Sequence, residues 1–152
     1  MKKLKALDDN FSMQETIELF NESYEMLRLT NESFCQKMQK IYDKNNVTLT
    51  KFLDRTCLGR HFYDDFITPK YIPKMRSFIS MCMGLNLDLP TAESLLESLS
   101  LRFDRTDKVD CAYMYLLTHH QGLNIEDCNK ILKGLGIDKA NDLLGTIPHD
   151  ER

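Results

Sequence analysis

VTLTKFLDRTCLGRHFYDDFITPKYIPKMRSFISMCMGLNL, residues 47–87, sets Leu49, Phe52, Leu53 and Thr56 at three- to four-residue spacing, the period of a helix with one buried face. Thr48, with Thr50 as the alternative, stands where a hydroxyl caps such a helix. The period breaks at Cys57-Leu58-Gly59 and resumes with Phe62, Tyr63 and Phe66. Two helices this short bury little alone, so the pattern predicts a pair crossing steeply and braced by a third element. That element is expected over Met75–Met83, entered through Pro69 and Pro73, with Met75, Phe78, Ile79, Cys82 and Met83 on one face. Gly84 sits where a left-handed C-terminal cap is expected, with Leu85 folding back over the last turn. The stretch therefore predicts a helix-turn-helix, an arrangement without a unique sequence signature.

Outside this stretch, composition mostly excludes. The chain has 152 residues, enough for one domain with a proper core or two very small ones. Hydrophobic residues at 42% and only four prolines argue against disorder. The longest apolar candidate, residues 78–89, is cut by Ser80, Gly84, Asn86 and Asp88, so no membrane span is expected. Asp8, Asp9 and Asn10 follow the leading lysines too closely for a signal peptide, and a cytoplasmic location is the expectation.

Cys35, Cys57, Cys82, Cys111 and Cys128 form no CxxC pair and read as buried free thiols. His119 and His120 are adjacent, so on a helix they diverge and chelate poorly; neither metal nor cofactor is expected. There is no P-loop and no HExxH string. His61 beside Tyr63 and Asp64 is the one mixed titratable cluster, and it reads as surface chemistry rather than a catalytic group. No enzyme is expected. The formal charge of −3 divides unevenly along the chain. Residues 1–30 hold four basic and six acidic side chains, residues 31–89 nine and six, and residues 90–152 seven and eleven. The net-positive third is the one containing the expected helix-turn-helix, which is the direction nucleic-acid binding requires.

Taken in order, residues 1–13 read as a mixed-charge lead-in, with Ser12 and Glu15 forming a capping box. The helix that follows carries Ile17, Phe20, Tyr24 and Leu27 on one side and Glu15, Glu18, Glu22 and Glu25 on the other. It suits a surface helix or one that packs against a partner subunit, and is too brief to declare a coiled coil. Thr30 or Asn31 is expected to cap a second helix, with Phe34, Met38, Ile41 and Tyr42 inward, ending at Asn45-Asn46. Beyond Gly84, Pro90-Thr91 starts a helix with Ala92, Leu95, Leu96 and Leu99 apolar. Thr106 or Asp107 caps the next, with Val109, Ala112, Tyr113, Leu116 and Leu117 inside and Gly122 at its close. Asn124 caps the last, with Ile125, Cys128, Ile131, Leu132 and Leu135 inside and Gly136 at its end. Residues 141–152 read as a tail with one short turn near Asp142. The fold class is all-α.

Three phrases within residues 32–137 carry a family resemblance: Met81-Cys82-Met83-Gly84-Leu85-Asn86-Leu87, Ser94-Leu95-Leu96, and Gly122 through Leu132, GLNIEDCNKIL. In combination they resemble the helix-turn-helix proteins of the phage repressor and Cro class, in the divergent form found in Gram-positive anaerobes. The resemblance implies a λ repressor-like bundle over residues 31–89, a helical extension 1–30 before it, another over 90–137 packed on it, and a tail, 138–152. It also implies a regulator that binds duplex DNA, often as a homodimer reading two half-sites. Two positions depart from the family pattern: Cys57 replaces the usual glycine between the helices, and Asp64-Asp65 replace basic residues. Under this resemblance Arg60 would read guanine O6 and N7, with His61 beside it, and Asp64 would accept from a cytosine amino group. Thr50, Lys51, Lys70, Lys74 and Arg76 would hold phosphates. The alternative is a helical protein–protein interaction module of the same fold that has lost DNA contact, which Asp64-Asp65 and the acidic final third would suit.

Overall fold

A computed structural model describes residues 3–30 and 32–145 of the chain. Among them are eight α-helices: α1 (Met13–Thr30), α2 (Phe34–Lys44), α3 (Leu49–Thr56), α4 (His61–Asp65), α5 (Met75–Gly84), α6 (Leu89–Ser98), α7 (Lys108–His119) and α8 (Ile125–Gly134). A 3-10 turn, Ala140–Asp142, follows, and no strand occurs among the described residues. The chain divides into two compact units, residues 1–32 and 33–152.

Local chemistry sets most of the helix starts. Ser12 Oγ accepts the Glu15 N–H at 3.3 Å before α1. Thr48 accepts from Lys51, Asp88 from Thr91, Asp107 from Asp110 and Asn124 from Asp127, each satisfying an otherwise orphaned first-turn N–H. The start of α2 differs from expectation. Its cap is Ser33, in a reciprocal box with Gln36, which displaces Thr30; Asn31 lies outside the described residues.

Four helices stop in one way. Asn46, Asn86, Ser100 and Gly136 take φ of 52°, 59°, 57° and 85° after α2, α5, α6 and α8. The next residue in each case (Val47, Leu87, Leu101, Ile137) donates its N–H back to the carbonyl five residues earlier at 2.9 Å. This is the Schellman closure, and Val47, Leu87 and Ile137 are buried beneath it. Asn86, not Gly84, is therefore the left-handed residue after α5. Gly84 instead permits a close approach. A Cβ built on it would lie 2.6 Å from the Arg55 carbonyl oxygen and 2.8 Å from Thr56 Cα. The α3 and α5 backbones cross there at a distance only glycine allows.

Within residues 33–145 one core gathers α2 to α8. Phe34, Phe52, Phe66 and Phe78 form an aromatic cluster with neighbouring centroids 6.1–6.3 Å apart. Met38, Met81, Met83, Leu95, Leu116 and Leu117 fill around it, each nearly or completely buried. The helices on either side of residue 89 share this core, with α2 packed on α6 and α5 on α7 and α8. Cys82 and Cys128 are buried in it as expected, whereas Cys57 and Cys111 are exposed.

Residues 143–145, expected to be part of a tail, dock as a bent strap with Leu144 and Gly145 buried. Having no strand partner, the strap is satisfied by side chains. Arg76 donates from Nε to Leu143 O at 3.2 Å and from Nη2 to Gly145 O. Asn129 bonds both the N–H and the carbonyl of Leu144, at 2.8 and 3.0 Å, and Ser80 Oγ accepts from Gly145 N at 2.8 Å. Tyr113 donates to Asp142 O at 2.6 Å. Leu143 and Leu144 carry the apolar contacts that hold the strap against the core.

Candidate nucleic-acid interface

The turn between α3 and α4 is built by Thr56 and Cys57. Thr56 is fully buried; its hydroxyl donates to Phe52 O at 2.7 Å and accepts from Leu58 N at 3.2 Å, which turns the chain out of α3. Cys57 follows at φ 55°, ψ 25°, the left-handed conformation that a glycine would take without strain. We expect Cys57→Gly to stabilise the protein by about 1 kcal/mol, seen as a higher urea midpoint at unchanged m value; a lower midpoint would show that the side chain's packing outweighs the strain. Burial, with Asp54 and Glu126 adding to it, pushes the Cys57 thiol up, so it is a poor nucleophile at neutral pH.

α4 has five residues and spans only about 7.5 Å at the usual helical rise. Tertiary contacts hold it. Phe62 and Phe66 are buried, and the Tyr63 ring stacks on Tyr42 with centroids 4.8 Å apart and planes 6° apart. Tyr42 donates to Tyr63 O and Tyr63 donates to Val47 O, both at 2.9 Å. Burial first, then Tyr63 and Asp64, push the Tyr42 phenol far up, so it remains a donor at any ordinary pH. The pair locks α4 to the α2–α3 turn. Neither tyrosine figured among the expected contact residues: Tyr42 read as an inward position of its helix, and Tyr63 as part of the helical period and of the surface cluster with His61 and Asp64.

The expected contact residues separate into groups. Arg60 is exposed at the amino end of α4, and among the described residues it forms no ion pair with Asp64 four positions on. No side chain caps α4 at that end; Phe62 N bonds Gly59 O instead. His61 is half-buried with its ring 4.2 Å from that of Phe62. His61 and Lys74 line one hollow of about 250 Å³ with Tyr71, Ile72 and Ser77. Arg60 precedes His61 directly in the chain, and His61 shares this hollow with exposed Lys74 and with the buried Arg76. Thr50 is exposed and Lys51 half-buried in the first turn of α3, where the Lys51 ammonium donates to Asn45 O at 2.9 Å and closes the end of α2.

Lys70 is exposed at φ 66° beside another groove, shared with Ser33, Thr68, Pro69 and Ser98, which has Tyr71 and Ile72 in common with the His61 hollow. Asp64 is exposed and near enough to Tyr42 for its charge to act on the phenol. Arg76 does not belong to the set. It is 6% exposed and its guanidinium is committed to the strap carbonyls, so it is not available to a phosphate. Helical periodicity placed it just after a loop but carried no information about a segment nearly seventy residues away.

Among the described residues no group of three or more His, Cys, Asp or Glu side chains is placed to hold a metal, and no helix is long and apolar enough to cross a membrane. In comparisons with known proteins, no family model matches the chain, and no curated protein or solved structure matches it.

Proposed function

We propose that residues 31–89 form a λ repressor-like helix-turn-helix domain, extended by the helices of residues 90–137, and that the chain is a sequence-specific duplex DNA-binding transcriptional regulator of the phage repressor and Cro type. The observation that carries this is the exposed Arg60 at the amino end of a short helix fixed by the Tyr42–Tyr63 pair. A forked guanidinium held on a rigid base suits bidentate contact with guanine. His61 follows Arg60 and shares a hollow with Lys74, and exposed Thr50 stands in the first turn of the preceding helix, which supports the same orientation towards a duplex. Because α4 is short, the readable sequence would be a few base pairs per copy.

Duplexes selected from a random library and titrated at several salt concentrations test this. Arg60→Ala is expected to cost about 1–3 kcal/mol on the preferred site and little on random DNA. Lys74→Ala should weaken both nearly equally and reduce the salt slope by about 1. Equal losses on preferred and random DNA for both variants would remove Arg60 from base reading.

A second reading, an interaction module that no longer touches DNA, is favoured by the exposed Asp64 on α4 and by the diversion of Lys51 and Arg76 to internal carbonyls. It predicts no salt-sensitive shift of mixed genomic fragments even at low ionic strength.

A further inference from the structure

In the first unit, α1 is 18 residues long and its apolar side is largely exposed: Ile17 is 46% exposed, Phe20 64%, Tyr24 53% and Leu27 61%. With Met13 they recur at alternating four- and three-residue steps, the spacing of a coiled-coil seam. Phe20 and Tyr24 already stack on each other along it, centroids 6.1 Å apart. A helix of this length is marginal alone in water, and most helices are stabilised by burying such a face.

We propose that a second copy of this chain covers the face, the two α1 helices pairing along Met13, Ile17, Phe20, Tyr24 and Leu27. Charge identifies the occupant. Glu15, Glu18, Glu22 and Glu25 all fall on the side away from the seam. The positions beside it, Gln14, Thr16, Asn21 and Ser23, are uncharged, and the next, Arg28, is basic, so none carries a carboxylate. Two copies of this acidic helix therefore meet without opposed carboxylates, whereas recognition of a basic partner would place acidic residues beside the seam. Leu19 and Met26, exposed at one margin, widen the apolar side. Pairing goes beyond the DNA reading and does not require it.

Sedimentation equilibrium of the full chain without DNA tests it. The expected result is a mass twice the 17.8 kDa of one chain, with a dissociation constant on the order of 10 µM, as suits so short a seam. Ile17→Glu with Phe20→Glu should give monomer while the thermal transition of the rest of the chain persists. The milder Phe20→Ser, read alongside in case two charges spoil the helix, should raise the dissociation constant roughly tenfold or more. A higher multiple abolished by the same changes would still put copies of α1 together. A wild-type monomer up to about 100 µM, or a dimer indifferent to both variants, would overturn the proposal.

Discussion

Gly84→Ala is expected to destabilise the protein by about 3 kcal/mol, more than an added methyl group ordinarily costs a helix end. The new Cβ would sit 2.6 Å from Arg55 O, 2.8 Å from the Arg55 carbonyl carbon and 2.8 Å from Thr56 Cα. All three are backbone atoms, so no side chain can rotate away and α3 itself must move. α3 carries the turn into α4, and α5 is packed around Gly84 on buried residues from Arg76 to Met83. Relief at one crossing therefore disturbs the core and the turn together. For a chain of this size the loss corresponds to a fall in Tm of about 10 °C, measurable by far-UV circular dichroism. A change below about 0.5 kcal/mol would mean that the helices separate freely, and the close crossing would not be what this glycine is for.

Arg76→Met is expected to cost about 2–4 kcal/mol by a different route. Methionine keeps much of the length and apolar volume of the arginine stem while removing its donors. Leu143 O and Gly145 O would lose the N–H groups that satisfy them, and a buried acceptor left without a donor carries its full desolvation penalty. Against a typical total of roughly 5–15 kcal/mol, that is a large fraction. The specific readout is local: amide exchange at Leu144 and Gly145 should accelerate well beyond that at Met38 or Leu116, since the strap carbonyls accept directly from the guanidinium. Unchanged protection at those two amides would show that Asn129 and Ser80 hold the strap without help.

Much of the fold was legible because it is written in local chemistry. Thr48, Asp107 and Asn124 announce helix starts by side chains that reach no further than three residues, whereas α6, expected to start at Pro90-Thr91, begins at Leu89 under an Asp88 cap. The inward rows Phe34–Met38–Tyr42 and Ala112–Tyr113–Leu116–Leu117 follow from helical period and are buried. Helix stops were harder to read. Gly84 and Asn86 lie two residues apart, and either residue type accepts a positive φ; what decides is that α3 needs Gly84 for approach, which leaves Asn86 for the turn. The strap was not legible at all. Arg76, Ser80 and Asn129 are ordinary polar residues within helices until Leu143–Gly145 is brought against them.

At the candidate interface, Arg60 is exposed at the amino end of α4, as the resemblance implied, and Thr50 is exposed in the first turn of α3. The employment of Lys51 in closing α2, and that of Arg76 in holding the strap, depend on how elements meet. The exposed row on α1 reads the same in sequence whether a helix faces its own core or a neighbour.

The strap also has a practical consequence for anyone attaching cargo to this protein. A Cβ on Gly145 would lie 3.3 Å from that of Cys57, so the strap's last anchored residue abuts the turn that orients α4. A reporter fused directly behind residue 145 would tug on that turn through the Arg76 and Ser80 tethers, and a generous flexible spacer is needed to decouple the two.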